Sequence, residues 1–191
     1  MADNPTALSS KDIRQGPDEL ALIQAARQNP IIFGELYKRY VNRVYRYLYS
    51  RIGNVHEAED LTAQTFLAAF ESFDKFRQDE HFTSWLFSIA RHKAMDHFRR
   101  RKSAPAIEEM HEIPVENDPL NAVTQSEQAQ AMALIIQAIP EKDCELLRLR
   151  FLADMSFPEI ARFLHRNESA VKKSFYRLLK KLHDQLEDPN E

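Results

Sequence analysis

Glycine is nearly absent from this chain. Only Gly16, Gly34 and Gly53 occur in 191 residues, and none follows Gly53. Strands joined by tight turns need residues that accept positive φ, and glycine does so at least cost. With apolar residues recurring at spacings of three and four, the economical reading is an all-α protein. The length allows one or two domains with enough core to fold independently. No apolar run approaches the roughly 20 residues of a membrane span, so no membrane insertion is expected. Met1 to Pro17 is polar and lacks the apolar core of a secretory signal. Cys144 is the single cysteine and cannot form an internal disulfide. Set in an apolar helical pattern, it reads as a buried thiol in a reducing cytoplasm.

Punctuation along the chain divides it in two. Residues 1–17 are expected to be disordered. A helix runs from about Asp18 to Gln28, and Pro30 marks the break before the next. That one carries Phe33, Leu36, Tyr40, Val44, Tyr47, Leu48 and Ile52 at helical spacing and ends at Gly53-Asn54. Asn54 or His56 leads into Glu57-Ala58-Glu59-Asp60, acids suited to a helix N-terminus. This helix reaches Phe73, and a polar loop from Asp74 to His81 follows. The next starts near Phe82-Thr83, turns Trp85, Leu86, Ile89 and Ala90 inward, and closes on Arg99-Arg100-Arg101-Lys102. Pro105, Pro114, Pro119 and a set of acids then mark an acidic linker over 103–122. Helices are expected again at Val123–Ile139 and Asp143–Leu152.

Charge follows the same division. Lys and Arg exceed Asp and Glu by 13 to 9 over residues 28–102 and by 10 to 6 over 140–183. Between them, residues 103–139 hold six acids and no Lys or Arg, and 184–191 hold four acids and none. The formal net charge of −3 therefore conceals two positive blocks, each of which a polyanion would meet as a local field.

The segment Ser156 to Leu182 is the most specific. Ser156-Phe157-Pro158-Glu159 carries the serine cap, early proline and third-position glutamate of a helix start. Leu164-His165-Arg166-Asn167 interrupts the pattern, and Asn167 is placed to cap a second helix. In that helix Val171, Phe175, Leu178 and Leu182 stack into one apolar stripe. Lys172, Lys173, Tyr176, Arg177, Lys180 and Lys181 fall on the other side. A capped helix, a tight turn and a second helix with one apolar and one cationic face form a helix-turn-helix, whose second helix enters the DNA major groove. A lysine-rich face alone would be an ordinary solvated face; the turn and the capped partner helix argue for DNA.

Taken together, these segments resemble the extracytoplasmic-function group of bacterial sigma factors. Over residues 31–102 the resemblance rests on Phe33-x-x-Leu36-Tyr37-x-Arg39-Tyr40, Ala58-Glu59-Asp60-Leu61 with Thr65-Phe66, and Phe82-x-x-Trp85-Leu86-x-x-Ile89-Ala90 running on to Asp96 and the arginine cluster. Over 132–183 it rests on Ile139-Pro140-Glu141, Leu147-Arg148-Leu149-Arg150-Phe151, Ser156-Phe157-x-Glu159-Ile160-Ala161, Val171-Lys172-Lys173 and Leu179-Lys180-Lys181-Leu182. Order and spacing, rather than any single motif, make it specific.

The resemblance implies a region-2 domain over 18–102, a region-4 helix-turn-helix domain over 123–185 and an acidic tail over 186–191. It implies core RNA polymerase and promoter DNA as partners and an anti-sigma factor as inhibitor. Polymerase contact falls on Glu59, Asp60 and Gln64, where carboxylates and an amide can pair with arginines of the large subunit. Strand capture at the −10 element falls on Arg77, Gln78 and His81 and, along the next helix, on His92, Asp96, Arg99 and Arg100. Trp85 shares a face with Leu86 and Ile89 and reads as core. Reading of the −35 element falls on Ser169, Lys173 and Arg177 at base edges, with Arg166, Lys172, Tyr176 and Lys180 beside them. His165 and Arg166 stand where the family often has glycine and an aliphatic residue, and Ser174 where it often has arginine. The resemblance sets the acidic tether near the polymerase's RNA-exit path.

A dimeric helix-turn-helix repressor or activator is the alternative. It accounts for the C-terminal half and leaves a second basic, aromatic-bearing helix without a purpose. An enzyme reading finds no glycine-rich phosphate loop, nucleophile motif or metal-ligand spacing, and neither cofactor nor metal is expected.

Overall fold

The computed structural model describes residues 17–77, 81–103 and 139–187, and all regular structure in them is helical. Gln78, the tether from 104 and nearly all of the helix expected over 123–139 lie outside these residues. Helix α1 is Pro17–Gln28. Asn29 accepts a hydrogen bond from the Ile31 amide and opens a short 3-10 turn, Pro30–Ile32, which leads directly into α2, Phe33–Ile52. Gly53 ends α2 at φ 76°, a left-handed conformation that costs a residue without Cβ little. Asn54 is the cap of α3, Val55–Glu71: its Oδ1 accepts from the Glu57 amide at 3.0 Å.

The stretch expected to be a polar loop is partly core. A 3-10 turn, Phe73–Lys75, follows α3, and Phe76 is only 2% exposed. Arg27 of α1 donates to the Phe76 carbonyl and lies over its ring, which ties α1 to this turn. Phe73, Phe76, Phe82 and Trp85 then form a cluster with ring centroids 5.0–6.4 Å apart, mostly edge-on or tilted. Trp85 packs on the cluster and keeps one side on a cavity. Helix α4, Phe82–Ser103, packs on α2 and α3. Tyr40, buried between α1 and α4, donates to Glu19 and lies 3.1 Å from the Thr83 hydroxyl. Side chains as enclosed as Leu36, Leu48, Leu86 and Phe87 each contribute roughly 1.5–3 kcal/mol on burial.

In the C-terminal part the helix expected over Asp143–Leu152 changes type. Helix α5 is Glu141–Leu147, and Arg148–Leu152 continues as a π-helical turn, closed by the Ala153 amide on the Arg148 carbonyl at 2.9 Å. Asp154 follows at φ 52°. Helix α6 is Phe157–Phe163 and α7 is Glu168–Glu187. Cys144 is half-buried rather than enclosed, its thiol 3.5 Å from the Ile139 carbonyl, and burial pushes its pKa up.

The two domains are not held apart. Leu146, Leu149, Met155 and Ile160 belong to one contiguous core with Val44, Tyr47 and Leu86. α6 packs on α4, and the π-helical turn packs on α2.

Candidate nucleic-acid interface

The helix-turn-helix forms as its residues dictate. Ser156 and Glu159 make the reciprocal cap: the Ser156 amide donates to Glu159 Oε2 at 2.8 Å, and the Glu159 amide reaches the Ser156 hydroxyl at 3.4 Å. His165 carries the turn at φ 52°, the strained place that its sequence position suggested, and the Arg166 amide bonds back to the Ala161 carbonyl at 2.8 Å. Asn167 caps α7 by accepting from the Ser169 amide at 2.9 Å. Val171, Phe175 and Leu178 are buried, which turns the opposite side of α7 outward.

On that outward side Ser169, Lys173, Arg177 and Lys180 are exposed at spacings of four, four and three. The Ser169 hydroxyl is engaged in the cap, 2.7 Å from Asn167 Oδ1. Lys172 pairs with Glu168 at 2.7 Å and lies 5.8 Å over the Phe157 ring, at the edge of the stripe. Tyr176 is exposed and packs beside Phe157, with centroids 6.0 Å apart. Arg166 donates to the Ser174 hydroxyl at 3.0 Å, so the turn lays a guanidinium against the helix at Ser174.

A second stripe runs along α4. His92, Arg99 and Arg100 are exposed and Asp96 is half-exposed; Arg99 and Asp96 pair at 3.1 Å. Met95, 51% exposed, lies in the same stripe and escaped the sequence reading. Arg77 is exposed just after the 3-10 turn that precedes α4. His81 is half-buried and its Nδ1 is enclosed without a hydrogen-bond partner. It lines a cavity of about 730 Å³ with Trp85, and Arg162, His165 and Arg166 line the facing wall. Burial, then the Arg162 charge, lower the His81 pKa; Glu159 acts the other way.

The third surface is on α3. Of the two starts the sequence offered, Asn54 is the cap and not His56, so the helix begins at Val55 and Glu57 takes the first-turn place. Asp60 is therefore in the second turn, beyond the reach of the helix-end field. Glu59, Asp60 and Gln64 are exposed. Leu67 and Phe70 continue the same surface at 58% and 47% exposure. The sequence reading missed both. Leu67 falls outside the buried set of Ala58, Leu61, Thr62, Thr65, Phe66 and Ala69, three residues after Gln64 and so on its face of the helix.

Residues 36–104 match the family model for Sigma-70 region 2, and residues 129–182 match that for Sigma-70, region 4. The ECF RNA polymerase sigma factor BldN of Streptomyces coelicolor is 37% identical over 154 residues, which are 78% of this chain and 58% of that protein. The ECF RNA polymerase sigma factor SigW of Bacillus subtilis is 26% identical over 167 residues, 82% of this chain and 89% of its own length. Among solved structures, CnrH in complex with the cytosolic domain of CnrY aligns at a TM-score of 0.64 and 26% identity, covering 90% of this chain and 98% of CnrH. Matched in both regions, in order and over more than half its length, the chain belongs to the sigma-70 family, in the extracytoplasmic-function group of RNA polymerase sigma factors.

Proposed function

We propose that this chain is a dissociable promoter-specificity subunit, which binds core RNA polymerase and directs it to start transcription at promoters with two separated elements. One observation carries the reading: two exposed stripes with cationic groups lie on separate domains of one chain, His92 to Arg100 on α4 and Lys173, Arg177 and Lys180 on α7. A dimeric regulator needs one reading module per chain; a two-element promoter needs two.

In this reading Lys173 and Arg177 reach base edges in the −35 major groove, and Ser169 sets the start of their helix through Asn167. Lys172, Lys180, Arg166 and Tyr176 hold the flanking backbone. Arg77, Gln78 and His81 receive a base that leaves the −10 duplex. His92, Asp96, Arg99 and Arg100 track the freed strand. Glu59, Asp60 and Gln64 meet polymerase arginines, and Leu67 and Phe70 supply the apolar part of that contact. Phosphodiester synthesis belongs to the polymerase, and this chain contributes no catalytic group. It works in the cytoplasm, where polymerase and promoter are. CnrH bound to the cytosolic domain of CnrY supports a protein inhibitor as a further partner, an anti-sigma factor.

The test is a reconstitution with core polymerase lacking any sigma factor, followed by mapping of transcript 5′ ends on genomic DNA. Discrete starts that share two upstream elements, absent without the chain, are expected. No new starts, together with duplex binding by the chain alone as a dimer, would replace this reading by a conventional regulator.

A further inference from the structure

We propose that the cavity between α4 and the helix-turn-helix is a binding site for a small nucleotide, with Trp85 against the base and Arg162 and Arg166 on the phosphates.

The cavity holds about 730 Å³, within the range of about 300–1,000 Å³ that small-molecule sites occupy. Its two walls differ in chemistry. On the α4 wall Trp85 is packed against Phe76 and Phe82, with centroids 5.0 and 5.7 Å away, and turns its remaining side to the cavity. A ring held in place by other rings is a ready surface for stacking a base. The Ser84 and Ser88 hydroxyls line the same wall, and each has committed its proton. Ser84 donates to the Glu159 carbonyl at 3.2 Å and Ser88 to the Ser84 carbonyl at 2.7 Å. What they still offer is lone pairs, which suit ring N–H groups and sugar hydroxyls. His81 adds an enclosed Nδ1 with no hydrogen-bond partner among the described residues. Burial and the Arg162 charge hold this imidazole toward its neutral form, in which it has one donor and one acceptor.

The facing wall is cationic. Arg162, exposed at the end of α6, pairs with no carboxylate among the described residues, and Arg166 in the turn donates to the neutral Ser174 hydroxyl. The nearby acids are engaged elsewhere. Glu168 on the lining pairs with Lys172 at 2.7 Å, and Glu159 Oε2 accepts from the Ser156 amide and hydroxyl at 2.8 and 2.7 Å. Both guanidinium groups therefore keep their charge for an anion, and their planar fork matches phosphate oxygens. A free phosphate would use one wall and a neutral ring the other. A nucleotide uses both.

Trp85 is the single tryptophan of the chain, so its fluorescence reports on this cavity. The full chain, without polymerase or DNA, would be titrated with GDP, ADP, guanosine and pyrophosphate. At least one diphosphate is expected to change Trp85 emission saturably, with guanosine and pyrophosphate each about tenfold weaker or more. Arg162→Gln and Arg166→Gln are each expected to weaken the diphosphate about tenfold at unchanged circular dichroism and to leave guanosine as it was. No saturable response to either diphosphate at millimolar concentration overturns the site. So does guanosine or pyrophosphate binding as tightly as the diphosphates, or an affinity that neither substitution moves. Should a variant lose helicity, the comparison of the four probes on the wild-type chain decides. Neither polymerase nor promoter takes part, so failure here leaves the sigma-factor reading untouched.

Discussion

Asp60 stands in the second turn of α3, exposed, while Asn54 and Glu57 occupy the helix start. Its charge therefore has little to do for the helix. Asp60→Ala is expected to weaken binding to core polymerase and leave far-UV circular dichroism unchanged; lost helicity would return the residue to a structural role. On α7, Lys173→Ala and Arg177→Ala are each expected to weaken −35 binding by about 1–3 kcal/mol and to relax one base position, whereas Lys180→Ala should weaken binding alike on all sequences and lower the salt slope by about 1. Titrations of promoter variants at several salt concentrations separate the two patterns. Most of these residues could be named from sequence, because charge and spacing place a residue on a face. What a side chain is occupied with was not legible. Ser169 spends its hydroxyl on Asn167, Lys172 is shared between Glu168 and Phe157, and Arg166 leans on Ser174 eight residues away.

Helix ends follow local rules and were read nearly to the residue. Gly53, Asn54, Ser156, Glu159 and Asn167 act through hydrogen bonds to neighbours within a few positions. Replacing the α3 cap, Asn54→Ala, should cost about 1 kcal/mol, seen as a lower urea midpoint at constant slope. An unchanged midpoint would mean that α3 is held by packing alone. Two elements departed from the reading for a common reason. Asp74 to His81 has a loop's composition, yet Phe76 is drawn into the aromatic cluster by Phe73, Phe82 and Arg27. The expected helix over Asp143–Leu152 widens into a π-helical turn, and its freed carbonyls are taken by arginines of α2. In both, partners up to 111 residues away help to set the backbone.

At the scale of the whole molecule, His81 lies where the two domains meet, in the cavity it shares with Arg162 and His165. Burial and Arg162 lower its pKa below the ordinary value near 6.5, and Glu159 only partly offsets them; His165, Arg166 and Glu168 line the same cavity. A depressed native pKa means that His81 contributes stability to the folded chain above pH ~6.5, and that this contribution is lost as pH falls toward the lower native value. The wild-type chain should therefore lose more stability on acidification below pH ~6.5 than His81→Gln does, measured as urea midpoints at fixed ionic strength; an equal loss would remove His81 from the pH dependence. The sequence alone determined the helices, their caps, the helix-turn-helix, the two cationic stripes and the family, all of which depend on periodicity and on neighbours a few residues apart. It suggested two tethered domains, and only the tertiary structure seated one on the other. Glu145 reads as an ordinary helix acid until Tyr47 and Arg51 are brought to it across 98 and 94 residues, because burial and long-range pairing have no period along the chain.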